Sequence, residues 1–113
     1  MSRAKYCLLI DDDADDQEIF LQALTDIASD TFCIAASGAE TAFSLLNQSP
    51  HRPDYIFLDL NLPEITGFEF LQAIKKDARF RSIPVIIYST TARENQIQKG
   101  FSLGADAFFT KSV

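Results

Sequence analysis

The stretch Tyr6-Cys7-Leu8-Leu9-Ile10-Asp11-Asp12-Asp13 joins an apolar run directly to three consecutive carboxylates. A short apolar run that ends in a charged cluster reads as a buried strand with a polar carboxyl end. Like charges collected there repel one another. They are tolerated when a hard divalent cation sits among them or when water solvates them. The arrangement returns twice: Tyr55-Ile56-Phe57-Leu58 ends in Asp59, and Ala107-Phe108-Phe109-Thr110 ends in Lys111. Parallel neighbouring strands would bring these carboxylates and one ammonium to a single sheet edge.

Working outward, short apolar runs alternate with helical periods. The first strand spans about residues 5–10. Ile19, Phe20, Ala23, Leu24, Ile27 and Ala28 then recur at helical spacing and predict an amphipathic helix over about 15–29. Asp15 and Asp16 fall in its first turn, where they favour the positive end of the helix dipole. A second strand is predicted over about 32–36 and is broken by Ser37-Gly38. Ala39, Ala42, Phe43, Leu45 and Leu46 mark a second helix.

Pro50 and Pro53 bracket a turn before a third strand at 54–58. A loop through Leu60-Asn61-Leu62-Pro63-Glu64-Ile65-Thr66-Gly67 leads to a third helix with Phe68, Phe70, Leu71 and Ile74 as its apolar members. Pro84 opens a fourth strand from Val85 to Tyr88. A weaker helix over about 92–103 contains Gly100 and ends at Gly104, and a fifth strand covers 106–110.

Strand-helix alternation along the whole chain predicts a parallel sheet with helices on both faces. Right-handed crossovers leave few topologies. The expected fold is α/β, a flavodoxin-like doubly wound sheet of five strands in the order 2-1-3-4-5, formed by residues 1–113 as a single domain. Ligands in such sheets bind at the carboxyl ends of the strands near the switch point. That rule places Asp11, Asp12, Asp59, Ser89 and Lys111 on the functional edge.

Bulk properties narrow the function. The chain has 113 residues, 47% hydrophobic and 23% charged, enough for one packed core. The net charge of −6 argues against a nucleic-acid partner, because phosphate contacts need a basic patch. No apolar stretch approaches the ~20 residues of a membrane span. No signal-peptide pattern precedes the first strand, so a cytoplasmic protein is expected. Cys7 and Cys33 both sit in apolar strand-like segments and read as reduced core thiols. His51, the single histidine, falls in the Ser49-Pro50-His51-Arg52-Pro53 turn and reads as a solvated loop residue.

Each edge residue has a chemical and a plainer reading. Asp11 and Asp12, flush against a strand, suit Mg2+, which takes oxygen ligands in an octahedron and keeps several waters. Asp59 completes that hard-oxygen set. Asp13 is a loop residue or helix cap. Ser89, in Tyr88-Ser89-Thr90-Thr91, is either a helix-entry cap or part of the site. Lys111, aimed at an acidic cluster, can serve as countercharge and phosphate ligand.

Taken in order, five features make the chain resemble the receiver domains of two-component response regulators, of the stand-alone chemotaxis kind, nearly end to end. They are Asp11-Asp12, Asp59, the Asn61-Leu62-Pro63 segment with Gly67, Ser89 and Lys111. The resemblance implies that Asp59 accepts a phosphoryl group from a histidine kinase or a histidine phosphotransfer protein. It implies Mg2+ ligation by Asp12, Asp59 and the Asn61 carbonyl, with Asp11 acting through water. Lys111 and Ser89 would each meet a phosphoryl oxygen. Ser89 and Phe108 would then move together to change the surface read by a downstream protein target. Phe108 lacks a hydroxyl for a tyrosine-type switch, and its alternative role is core or interface.

Two departures stand out. The family places proline after the lysine, often with a cis bond. Ser112 stands here, and a non-proline cis bond costs about 2.5–4 kcal/mol, which predicts a trans bond or a strained loop. The family also has a fifth helix after the fifth strand, whereas this sequence ends at Val113. The final helix is therefore expected to be missing, leaving an apolar sheet face open to self-association. The expected role is a phosphorylation-dependent switch and not an enzyme. The competing readings are a nonphosphorylated interaction module of the same fold and a Mg2+-dependent phosphohydrolase. The hydrolase would want a cap and a general acid, and Asn61 stands two residues past Asp59. A nucleotide-binding domain lacks its glycine-rich signature.

Overall fold

The computed structural model describes residues 5–28, 30–62, 65–90 and 93–111. Nine elements follow in sequence: β1 (Lys5–Ile10), α1 (Ala14–Ile27), β2 (Thr31–Ala36), α2 (Ala39–Gln48), β3 (Tyr55–Leu58), α3 (Gly67–Lys76), β4 (Val85–Ser89), α4 (Glu94–Ser102) and β5 (Ala107–Thr110). The strands form one parallel sheet in the order β2-β1-β3-β4-β5, as expected. The order reverses at β1, so β1 and β3 lie side by side and their carboxyl ends open into the switch-point crevice.

Local chemistry sets the element ends. Asp13 caps α1, its side chain accepting from the N–H groups of Asp15 and Asp16 at 2.9 and 3.1 Å, which settles its role as a helix cap. Thr66 and Glu69 form a reciprocal capping box at the start of α3. Helix α4 stops in a Schellman turn. Gly104 takes φ 109°, its N–H reaches the Phe101 carbonyl at 3.1 Å, and the Ala105 N–H reaches that of Gly100 at 3.0 Å. Asp106 stays outside β5, with its carboxylate accepting from the Val85 N–H at 2.9 Å.

Alternate strand positions face opposite sides. On one side Leu8, Ile10, Ile56, Leu58, Val85 and Ile87 are fully buried under α2 and α3, which bury Ala42, Leu46, Phe70, Leu71 and Ile74. On the other, α1 packs Phe20 against Phe57 and Tyr88, with ring centroids 4.8 and 5.6 Å apart. This second face is partly open. Phe57, Ile86 and Tyr88 remain half-buried, Phe109 is 57% exposed, and no residue of α1 is fully buried. Ile19 and Ile27, read from their spacing as part of the apolar stripe, stay at its solvent rim at 65% and 83% exposure.

Among the described residues β5 is the last element. The expectation for the Lys111–Ser112 bond lies outside the described residues, as do Pro63 and Thr91.

Candidate functional site

Among the described residues four polar ones are buried although the core around them is apolar: Asp11, Asp59, Ser89 and Lys111. All four stand at carboxyl ends of strands. Asp11 follows β1 and Asp59 follows β3. Ser89 closes β4, and Lys111 follows β5. The ladder carries each into place. The Asp11 N–H donates to the Ala36 carbonyl at 3.0 Å, the Asp59 N–H to that of Ile10 at 2.9 Å, and the Lys111 N–H to that of Ser89 at 2.7 Å.

The Lys111 ammonium is the centre of the arrangement. Its Nζ donates to Asp11 Oδ2 at 2.7 Å, Asp59 Oδ2 at 3.0 Å and Asp16 Oδ2 at 3.1 Å. It also lies 5.4 Å from the centre of the Tyr88 ring. Burial pulls the lysine's pKa down, but the three carboxylates outweigh it and raise it above its usual value. Asp11 is 1% exposed. Burial pushes its carboxyl above the ordinary range against the opposing pull of Lys111 and the Asp13 N–H. Asp59 is held at both oxygens, since Oδ1 accepts from the Asn61 N–H at 3.1 Å and Oδ2 from Lys111.

Asp12, the exposed member, completes a cluster with Asp11 and Asp59 in which one carboxylate oxygen from each lies within 4.8 Å of the others. The donor set is all hard oxygen, and it opens to water on the Asp12 side. That suits an ion which keeps part of its hydration shell. The loop after Asp59 is held tightly beneath it. The Gly67 N–H donates to the Leu60 carbonyl at 2.9 Å. A Cβ on Gly67 would fall 2.5 Å from the Asp59 carbonyl oxygen and 2.7 Å from Leu60 Cα. Only glycine allows that approach.

The structure therefore brings Asp11, Asp12, Asp59 and Lys111 together at one sheet edge. Ser89 is fully buried at the same edge, and the N-cap of α4 is Arg93, so Ser89 does not cap the helix. Asn61 is exposed and meets Asp59 through its backbone N–H. Phe108 packs half-buried against the core beneath Gly100. Asp16 is the residue that sequence reasoning missed. Its place in the first turn of α1 read as helix-dipole chemistry. The available signal was its position three residues past the Asp13 cap, which turns it back toward the strand ends.

The comparisons with known proteins agree with this geometry. The family model for the response regulator receiver domain matches residues 7–113. Response regulator Rre1 of Synechocystis sp. is 32% identical over 92% of this chain, which spans 44% of Rre1's length. Response regulator Rcp1 of the same organism is 32% identical over 96% of this chain and 77% of its own. The crystal structure of the phosphorylated cyanobacterial phytochrome response regulator RcpA superposes with a TM-score of 0.88 at 32% identity, covering 96% of this chain and 81% of that one. The Mn2+-bound form of Rcp1 gives 0.84 at 30% identity, with coverage of 96% and 81%. The chain belongs to the response regulator receiver-domain family.

The relatives are response regulators of two-component systems, and one of them, Rcp1, is known in a Mn2+-bound form. Among the described residues no helix is long and apolar enough to cross a membrane.

Proposed function

We propose that this chain is a single receiver domain that takes a phosphoryl group on Asp59, with Mg2+ bound, and thereby changes a surface read by a partner protein. The observation that carries the reading is the position of Lys111 Nζ, 3.0 Å from Asp59 and 2.7 Å from Asp11, beside the Asp11-Asp12-Asp59 cluster. Phosphoryl transfer needs positioning and neutralisation of equatorial charge more than covalent chemistry from the protein. Asp12, Asp59 and the Asn61 carbonyl, with Asp11 through water, would hold a divalent ion, which would supply one part of that neutralisation.

Lys111 supplies the other. An Asp59 carboxylate oxygen attacks phosphorus, the phosphorus–nitrogen bond of a donor phosphohistidine breaks, and the imidazole leaves with the electron pair. Lys111 then exchanges its Asp59 contact for a phosphoryl oxygen, and the buried Ser89 hydroxyl meets another. The added charge of about −1.5 to −2 biases the β4 end and the α4–β5 surface, with Phe108 repacking beside it. The donor is a histidine kinase or phosphotransfer protein, the output is a protein target, and the location is cytoplasmic.

Incubation with acetyl phosphate and Mg2+, read by intact mass, tests this. One added phosphoryl group that disappears in Asp59→Asn and without Mg2+ is the expected result. Folded protein that never gains the group would overturn the reading in favour of an interaction module. Catalytic phosphate release from many esters would point to a hydrolase.

A further inference from the structure

Cys7 and Cys33 lie 26 positions apart in the sequence, yet the β1–β2 register pairs them directly, Cys7 opposite Cys33. Register partners in a parallel pair project to the same side. The neighbouring pair confirms it, since the rings of Tyr6 and Phe32 stack at 5.2 Å on the opposite face. Neighbouring strands run about 4.7–4.9 Å apart, within the Cα separation of about 4.4–6.8 Å that a disulfide spans. Both thiols are free.

Access comes from two directions. Cys33 is half-buried on β2, the edge strand of the sheet. Cys7 lines a groove of about 270 Å3 between α1 and the sheet, together with Lys5, Leu24, Ala28 and Tyr55. We propose that Cys7 and Cys33 are a reversible redox site, oxidised by a peroxide to an intramolecular disulfide across β1 and β2.

Cys33 is the more accessible thiol, half-buried on the edge strand, whereas Cys7 is 1% exposed. Cys33 is thus the first to meet peroxide, through its thiolate. Its sulfur attacks a peroxide oxygen, the O–O bond breaks, and a sulfenic acid and one water form. The Cys7 sulfur then attacks the sulfenic sulfur and expels hydroxide, which takes the Cys7 proton and leaves as the second water. Two thiols and one peroxide give one disulfide and two waters. Direct cross-strand geometry strains the bond, so a dithiol reduces it readily. The link would close a loop that carries Asp11, Asp12 and all of α1.

The test treats the reduced folded chain with hydrogen peroxide, blocks remaining thiols with an alkylating agent under denaturing conditions, and reads intact mass. The expected product has lost two hydrogen atoms, carries no alkyl group, stays monomeric on a non-reducing gel, and accepts two alkyl groups after dithiol reduction. Cys7→Ser, with folding checked by its circular dichroism spectrum, stops at a sulfenic acid on Cys33 trapped by dimedone. Two thiols that remain alkylatable after peroxide, a covalent dimer, or stepwise oxygen addition without loss of two hydrogens in the wild-type chain would overturn the proposal.

Discussion

The two faces of the sheet are built to different standards. The face under α2 and α3 buries Leu8, Ile10, Ile56, Leu58, Val85 and Ile87 completely, and the helices answer with Phe70, Leu71 and Ile74 at 0% exposure. The face under α1 leaves Phe57, Ile86 and Tyr88 half-buried and Phe109 57% exposed, with a groove of about 240 Å3 between Phe20, Leu24, Ile27 and the sheet. The acid site stands at the common edge of both faces. Its strand ends are fixed by the dense face, while its ammonium arrives on β5, where the cover is thinnest. Close packing therefore lies on one side of the sheet and looser packing on the other.

The largest effect should come from the dense face. Phe70→Ala removes a fully buried ring that meets Phe43 in a tilted pair with centroids 4.7 Å apart and should cost about 3–5 kcal/mol in urea unfolding. Phe109→Ala removes a similar ring from the open face and should cost under about 1 kcal/mol. Equal costs would mean that the open face is packed in solution by something, and sizing of the wild-type chain would then reveal a second copy.

Lys111→Met attacks the point where the faces meet. It leaves Asp11 and Asp59 buried without their cation, which should cost about 3–5 kcal/mol in metal-free buffer. Mg2+ should recover more stability in this variant than in the wild type, because it replaces the missing countercharge. Thermal melts with and without Mg2+ check this, and an equal Mg2+ shift in both proteins would separate the lysine from the cation site. Gly67→Ala should have a smaller effect, about 1–3 kcal/mol, since its Cβ meets the Asp59 and Leu60 backbone at 2.5 and 2.7 Å. It should also slow phosphorylation by acetyl phosphate, because relief of the clash moves Asp59. An unchanged rate in a destabilised variant would show that the loop supports the fold only.

The sequence displayed the architecture well because strand runs and helical periods differ in length and spacing. The terminal residues Asp11, Asp59 and Lys111 followed from strand ends alone. Three things were hidden for one reason: each depends on register or rotation, which periodicity does not encode. Ile19 and Ile27 share the helical period of Phe20 and Leu24, but they stay 65% and 83% exposed while the second pair is half-buried against the sheet. Asp16 satisfied the helix-dipole rule and hid its bond to Lys111. Cys7 and Cys33 became neighbours only once β1 and β2 were aligned residue by residue. Ser89 stayed ambiguous until α4 proved to start after Arg93.

The smallest stability change isolates the cation from the packing that surrounds it. Asp12 is the exposed carboxylate of the cluster, whereas Asp11 and Asp59 are buried and bonded to Lys111. Asp12→Asn removes one like charge without disturbing either face of the sheet, so metal-free stability should stay within about 1 kcal/mol of wild type, with any change upward. The same substitution replaces a charged carboxylate with a neutral amide oxygen, a far weaker Mg2+ ligand, so the Mg2+-induced rise in melting temperature should shrink sharply. A variant that keeps the full Mg2+ shift would place the ion on Asp11 and Asp59 alone. Lys111 would then have to give up its buried partners for metal to enter, and metal and lysine would compete instead of sharing the neutralisation of one acidic edge.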